Sequence, residues 1–509
     1  MTFSMRFPKR PPFIPPLARF AKSGHDFPQS VTKGSPIYRL GTGWLHALLR
    51  AFFRRVEVTG LGNLPETGGG IFIAWHPNAL VDGALILSQF PGRIVVGARH
   101  GLFRWPVLGS LIRAFGAVPV YRRLDFPAGS DEPRREANEK SIDAMAAAVA
   151  SGAFALLFPE GQSHDEPFPT ELRTGAARLY YRARERAAKE GDPAVIVPVG
   201  LHYDRKHLFG SSALVSFHPP LSIGEGLEDP PLESASDEEK RSRYRSLTDE
   251  LERALREVVH ATASWDLHHA MHRARKLLRA ERAHRTGASL ERPDMKERVL
   301  VFSRLWAGYN ERARTHPEEV REIVRRIKAY DADLRALGIE DHELYGGKPL
   351  LSPRMALSAL LQALLVYFVL PPILLIGYVV NLPAAALVWL LSRWGAAARK
   401  DVASLMILAG AIAFPLLWLA VALLVAWGDT RLSQLYPRFR GAPLLTGALA
   451  FILSAVGAMV ALHYQRIARQ TLHAVRVRLT RWQRASTLER LRAERVSLYE
   501  ALRKLATLR

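Results

Sequence analysis

In the first half of the chain, short apolar runs alternate with longer stretches of mixed polar and apolar character, the pattern of strands alternating with helices. The runs predict strands at 56–58, 71–75, 93–96, 117–121, 153–158, 195–201 and 213–217. Together they make an α/β domain over 41–230, with a proline at Val197-Pro198-Val199-Gly200 that implies an edge strand or a bulge. From 231 to 350 the pattern changes to charged, Ala- and Leu-rich helices, read as a helical extension and not a catalytic core.

Beyond that lie three apolar runs, 355–394, 403–427 and 443–463, longer than ordinary core helices and read as an α-helical transmembrane part over 355–463. The last two each suffice for one crossing. The tail after Tyr464 carries twelve Arg or Lys against three Glu, a cytoplasmic signature, and 464–509 is read as a basic helical tail. With the N-terminal domain also facing the cytoplasm, the number of crossings is even. Parity favours reading the first run, broken at Pro371-Pro372 and at Asn381-Leu382-Pro383, as a hairpin or re-entrant unit and not as a single span. Four crossings, and two plus a re-entrant unit, both remain open. Either way the expectation is an integral protein of the cytoplasmic membrane.

Composition narrows the partners. Seventy Lys plus Arg against 48 Asp plus Glu give a net charge of +22, which favours phospholipid, nucleic acid or a phosphorylated substrate. No nucleic-acid partner is expected, because the arginines cluster beside the apolar spans and no recognition module is visible. There are no cysteines, which excludes disulfides, thiolate metal sites and a cysteine nucleophile. Residues 1–40 are basic and proline-rich without an apolar signal core, and read as a flexible arm. The amphipathic stretch that follows, 43–55, suits a membrane interface and a helix packed on the next domain equally well.

The candidate chemistry begins at Ile71-Phe-Ile-Ala-Trp75-His76-Pro77-Asn78-Ala-Leu-Val-Asp82. Pro77 ends the strand, Asn78 is a suitable N-cap for a helix over about 79–88, and Asp82 falls on the first helical turn. Folded back, His76 would meet Asp82, which would fix the imidazole tautomer and leave the other nitrogen free to take a proton. By itself the pair reads more readily as a capping Asn beside an ordinary loop His. Gly116-Ala-Val-Pro119-Val-Tyr-Arg122-Arg123 ends a later strand with two guanidiniums, natural phosphate partners. Phe158-Pro159-Glu160-Gly161 ends another with a carboxylate and a glycine. His268 and His272 stand four apart on a predicted helix, but without further ligands they read as a solvated face, and no metal or resident cofactor is expected.

The His-x-Pro-type box, the Gly-x-x-Pro-Val-x-Arg, the Phe-Pro-Glu-Gly and the Val-Pro-Val-Gly, in this order, resemble the four blocks of the glycerolipid acyltransferase family typified by 1-acylglycerol-3-phosphate acyltransferase. The resemblance is closest to a branch of glycerol-3-phosphate/dihydroxyacetone-phosphate acyltransferases. That branch shares the extra residue that makes His76 to Asp82 a His-x5-Asp box, the Ser163-His164-Asp165 after the Glu-Gly, and a Leu-Arg-x-Gly like Leu172-Arg173-Thr174-Gly175. The resemblance implies an O-acyltransferase in which His76 is general base on a glycerol hydroxyl and Asp82 orients it. The oxygen would attack an acyl thioester, acyl-CoA or acyl-ACP as co-substrate, without an acyl-enzyme. It further implies that Arg122, with Arg173 as a second candidate, holds the acceptor phosphate. Glu160 would take a hydroxyl or brace an arginine, and the Gly161 amide would approach the ligand. Expected partners are thus a thioester donor, a glycerol-phosphate acceptor and the lipid bilayer. Glycerol 3-phosphate or dihydroxyacetone phosphate is the first expectation for the acceptor, and lysophosphatidic acid the alternative. A non-catalytic membrane scaffold is a further reading, disfavoured by the intact His76, Asp82, Arg122, Glu160 and Gly161.

Overall fold

The computed structural model describes residues 35–121, 131–190, 193–232, 234–287, 294–345, 353–436, 438 and 440–507. In chain order the elements of the first unit are α1 (Pro36–Phe52), β1 (Arg55–Thr59), β2 (Gly70–Ala74), α2 (Leu80–Gln89), β3 (Ile94–Arg99), α3 (Pro106–Ala114), β4 (Val118–Val120), α4 (Asp131–Ala150), β5 (Phe154–Leu157), α5 (Gly175–Glu190), β6 (Val195–Tyr203) and β7 (Ser212–Phe217). All seven predicted strand positions carry a strand. They form one sheet in the order β1-β7-β6-β2-β5-β3-β4, in which only the β6–β7 pair is antiparallel. Alternation along each strand sorts side chains between two helix layers. Phe72, Ala74, Phe154, Leu156, Val197 and Val199 face α1 and α2, whereas Ile71, Ile73, Ala155 and Ile196 face α4 and α5. On the α1–α2 side Phe72 stacks on Phe154 at 4.4 Å, filling the space between strand and helix with rigid rings.

Pro198 lies neither on an edge strand nor in a bulge. It is registered with Ile73 inside β6, between β2 and β7. A strand residue points its N–H and C=O towards the same neighbour, and the Pro198 carbonyl accepts from His218 at 3.0 Å, on the β7 side. The missing N–H therefore falls just past the last β6–β7 pair, Val199 with Phe217, and takes nothing from the ladder to β2.

The helical extension comprises α6 (Asp237–Val258), α7 (Trp265–Thr286), α8 (Met295–Thr315) and α9 (Pro317–Leu337), and the C-terminal part α10 (Pro353–Leu364), α11 (Leu370–Gly395), α12 (Arg399–Leu435), α13 (Pro443–Gln483) and α14 (Ala485–Thr507). α6 joins the α4–α5 layer through Leu247, Leu251 and Leu255. The tail is not a separate basic helix: Leu488, Leu491, Leu498 and Leu502 of α14 share one core with Leu277 of α7 and Ile327 and Leu334 of α9. Arg495, apparently one more tail cation, is buried on Glu281 at 3.0 Å.

Among the described residues two helices, α12 with 37 residues and α13 with 41, are long and apolar enough to cross a membrane. Leu416, Leu423, Trp427, Leu444 and Ile452 point outward from them, unlike the side chains of a core helix. They form an antiparallel hairpin, with Ala422 beside Gly447. Before them, α10, a π-helical turn (Leu365–Val369) and α11 follow one another without a loop, so neither proline site of the first apolar run interrupts the helix. The run nevertheless goes in and comes back. Gln362 bonds Thr471 at 3.1 Å and Asn381 bonds Ser454 at 3.1 Å, so its first half descends along α13. Asn381 also accepts from Trp418 at 2.8 Å while Gly395 lies against Leu405, so its second half returns along α12. The turning point is Asn381, next to Pro383, which removes one amide from the helical ladder.

Candidate active site

The chemistry collects at the carboxyl ends of the parallel strands β2, β5 and β6, where an α/β sheet leaves a crevice. After β2 the chain makes a tight turn in which the Val81 amide donates to the Asn78 carbonyl at 3.1 Å. Asn78 does not cap α2: the cap residue is Ala79, at φ 46° and ψ −130°, and Asn78 gives its side-chain amide to the Lys206 carbonyl at 3.1 Å. This strained alanine lies within the His-x5-Asp box, between His76 and Asp82. It turns Asp82, on the first turn of α2, back under His76.

His76 Nδ1 donates to Asp82 Oδ2 at 2.9 Å. A carboxylate only accepts, so Nδ1 carries the proton and Nε2 is the free, basic nitrogen. The imidazole stacks on Phe158 at 4.0 Å and keeps 18% of its side chain exposed, whereas Asp82 is fully buried. Two further donors converge on Asp82: the Asn78 backbone amide to Oδ2 at 2.6 Å and the Tyr203 hydroxyl to Oδ1 at 2.5 Å. Burial, reinforced by the adjacent Asp82 charge, pushes the Tyr203 phenol well above its ordinary range, so it stays a donor. Tyr203 is a site residue that sequence reasoning missed; it ends the strand of the Val-Pro-Val-Gly block, which was its only signal.

Glu160 is as buried as Asp82, and among the described residues it braces no arginine. Its Oε2 accepts from the His76 backbone amide at 2.8 Å, and its Oε1 accepts from the Thr170 amide at 2.9 Å and from His164 Nε2 at 2.5 Å. The His164 amide in turn donates to the His76 carbonyl at 3.1 Å. The Phe-Pro-Glu-Gly turn and the His164 that follows it thus grip both backbone polar groups of His76. The Gly161 amide is taken by the Phe158 carbonyl at 3.0 Å, so the turn itself uses the donor expected to face a ligand. Gly161 is required for other reasons: φ is +70°, and a Cβ would lie 2.9 Å from Arg173 Nε. Arg173 is anchored by its amide to the Pro159 carbonyl at 2.8 Å, with its side chain exposed beside Gly161. Arg122 lies outside the described residues; Tyr121 before it is held through both backbone groups by the Asn138 side-chain amide, at 2.9 and 3.0 Å.

Lys206, also missed, donates to the Pro77 carbonyl at 2.7 Å and pairs with Asp165 at 2.7 Å. Lys400, at the start of α12, reaches the Ser163 carbonyl at 2.5 Å, so a membrane-length helix touches the turn that grips His76. His268 and His272 are not on a solvated face. Their Nε2 atoms are 3.1 Å apart against Phe302, and burial holds His268 at about 4 and His272 well below its ordinary range. Among the described residues no group of three or more His, Cys, Asp or Glu is placed to hold a metal ion.

Residues 55–202 match the family model described as Acyltransferase. An uncharacterised acyltransferase of Schizosaccharomyces pombe is 24% identical over 59% of this chain and 54% of its own length. Glycerol-3-phosphate O-acyltransferase 1 of Saccharomyces cerevisiae is 28% identical over 36% of this chain and 23% of its own length. A solved 1-acyl-sn-glycerophosphate (LPA) acyltransferase from Thermotoga maritima is 18% identical, covering 43% of this chain and 78% of that one, at a TM-score of 0.28. The chain therefore spans about half the length of the first curated relative and about a quarter of the second. Residues 55–202 of this chain, which carry the His76–Asp82 pair and the Glu160 turn, form a domain of the acyltransferase family.

Proposed function

We propose that the protein is a membrane-bound O-acyltransferase that moves a fatty acyl group from a thioester donor, acyl-CoA or acyl-ACP, to a glycerol-phosphate hydroxyl, first glycerol 3-phosphate or dihydroxyacetone phosphate. The observation that carries this is the His76–Asp82 pair, with Nδ1 committed to the carboxylate and Nε2 open. Nε2 takes the acceptor's hydroxyl proton as that oxygen adds to the thioester carbonyl. The tetrahedral intermediate then expels the thiolate, and the imidazolium returns the proton to sulfur. Buried Asp82, which also accepts from the Tyr203 hydroxyl and the Asn78 amide, stabilises the transient imidazolium. Arg173 and Arg122 are assigned to the acceptor phosphate, for which a guanidinium offers a bidentate fork. The acceptor rests on the relatives named as glycerol-3-phosphate O-acyltransferases.

In the same reading α12 and α13 cross the bilayer, α10–α11 enters and leaves on one side, and the catalytic domain and tail share the cytoplasmic face. Membranes containing the full chain should transfer labelled acyl groups from acyl-CoA to glycerol 3-phosphate or dihydroxyacetone phosphate and lose this with His76→Ala. Undiminished transfer by His76→Ala would refute the mechanism, and transfer to lysophosphatidic acid alone would reassign the acceptor.

A further inference from the structure

The loop between β6 and β7, residues 204–211, faces two ways. Inward, Lys206 holds the catalytic turn by its ammonium on the Pro77 carbonyl and by its own carbonyl on the Asn78 side chain. Outward, two positions further on, Leu208 is 38% and Phe209 49% exposed, next to Arg205, which is exposed and has no side-chain partner among the described residues. A loop at a water-facing sheet end has no reason to present two large apolar side chains side by side.

The surface around them continues the apolar theme. Phe209 sets its edge on Phe52 at 5.8 Å, at the end of α1. α1 buries Tyr38, Leu49 and Phe52 on one face, yet it exposes Ile37, Leu40 and Trp44 on the other, at helical spacing. A helix apolar on both faces suits a boundary between a protein core and lipid. α1 shares its core with Ala403, Met406 and Ile407 of α12, so the exposed apolar surface is continuous with a helix of membrane length. Arg399, exposed at the start of that helix, and Arg205 put cations at the same margin.

We propose that Leu208 and Phe209 rest in the interface of an anionic phospholipid bilayer, and that this contact holds the Pro77–Asn78 turn in register beneath His76 through Lys206. The inference rests on the reading that α12 and α13 span the bilayer. Lipid contact two residues from the clamp makes the geometry of the base depend on the loop being seated.

Because the chain has no cysteine, single labels are unambiguous. Full-length Leu208→Cys, Phe209→Cys and, as a control on the exposed face of α6, Ser242→Cys would carry an environment-sensitive fluorophore in phosphatidylcholine–phosphatidylglycerol vesicles. The expected result is blue-shifted emission and quenching by spin-labelled lipid at 208 and 209 but not at 242. Quenching at 208 and 209 no greater than at 242 would overturn the proposal, including the case in which a protein partner covers the loop. Phe209→Ser should then lower acyl transfer several-fold in vesicles and leave it unchanged in detergent. An equal loss in both would place its effect in folding and overturn the coupling. The label readout needs no turnover, so a chain that transfers no acyl group yet seats its loop defeats only the enzymatic reading.

Discussion

At the residue scale the site is a contest over one carboxylate. Asp82 accepts from His76, Asn78 and Tyr203 at once while fully buried, so each donor lost leaves a charge less compensated. Tyr203→Phe removes the hydroxyl and little volume. It should lower the rate about tenfold, for about 1.4 kcal/mol of lost positioning, while KM for the acceptor stays near its original value. Steady-state kinetics on the variant tests this, and an unchanged rate would remove Tyr203 from the machinery. Glu160→Gln is the harsher change. The amide NH2 must face one of the donors His76 N–H, Thr170 N–H or His164 Nε2–H, so a drop of about 10–100-fold is expected with the fold retained by circular dichroism. His76 and Asp82 were legible from their own sequence neighbourhood because both lie on one turn. Tyr203, 121 positions away from Asp82, was not, since nothing local marks a tyrosine as reaching a distant carboxylate.

At the element scale two strains are visible. Ala79 holds a turn conformation that glycine adopts freely, at a cost on the order of 1–3 kcal/mol. Ala79→Gly should raise the chain's stability by about 1 kcal/mol after the added unfolded-state entropy is set against the relief, seen as a higher unfolding midpoint. A lower midpoint would show that the turn is not strained. The second strain is electrostatic. His202, His218 and His268, where the sheet meets α6–α8, are held by burial at about 3, about 4 and about 4. Unfolded, each binds its proton near pH ~6.5. Stability from the three is therefore fully present above pH ~6.5 and declines as pH falls towards 4, because the unfolded state takes up protons that the folded state refuses. Unfolding midpoints should be flat from pH 8 to 7 and fall steadily from 6.5 to 4.5, less steeply in His218→Asn. The strands were legible because each is an apolar run bounded by turn residues. The cap on α2 was misread, since Asn78 has the residue type of a cap but its side chain is claimed by Lys206, which no local pattern reveals.

At the scale of the whole molecule, the α/β domain and the apolar helices pack as one unit. Ala403, Met406 and Ile407 complete the core that α1 and α2 make with the sheet, and Lys400 touches the Glu160 turn. A chain cut after Tyr345 should consequently lose acyl transfer and expose its α1–α2 face, measured as aggregation and dye binding. A soluble, active fragment would contradict this. The tail is equally committed: Arg495→Ala leaves Glu281 buried without that partner and should cost roughly 3–5 kcal/mol, whereas Arg495→Met should cost less. Reporters placed before Tyr38 and after Arg509 should both read cytoplasm, and one within 428–442 the opposite side. A split result between the first two would refute the even count.

Periodicity and composition alone determined the order of strands along the chain and the apolar segments, and they brought His76 and Asp82 together as a candidate pair, because each of these is written in neighbouring positions. Tertiary structure alone decided that Glu160 grips the backbone of His76, that Tyr203 and Lys206 join the site, that α10–α11 turns back at Asn381, and that the basic tail is half core. Those outcomes depend on which distant surfaces meet. A buried carboxylate or guanidinium takes whichever donors or acceptors the fold carries to it, so its role follows from packing and not from its neighbours in sequence.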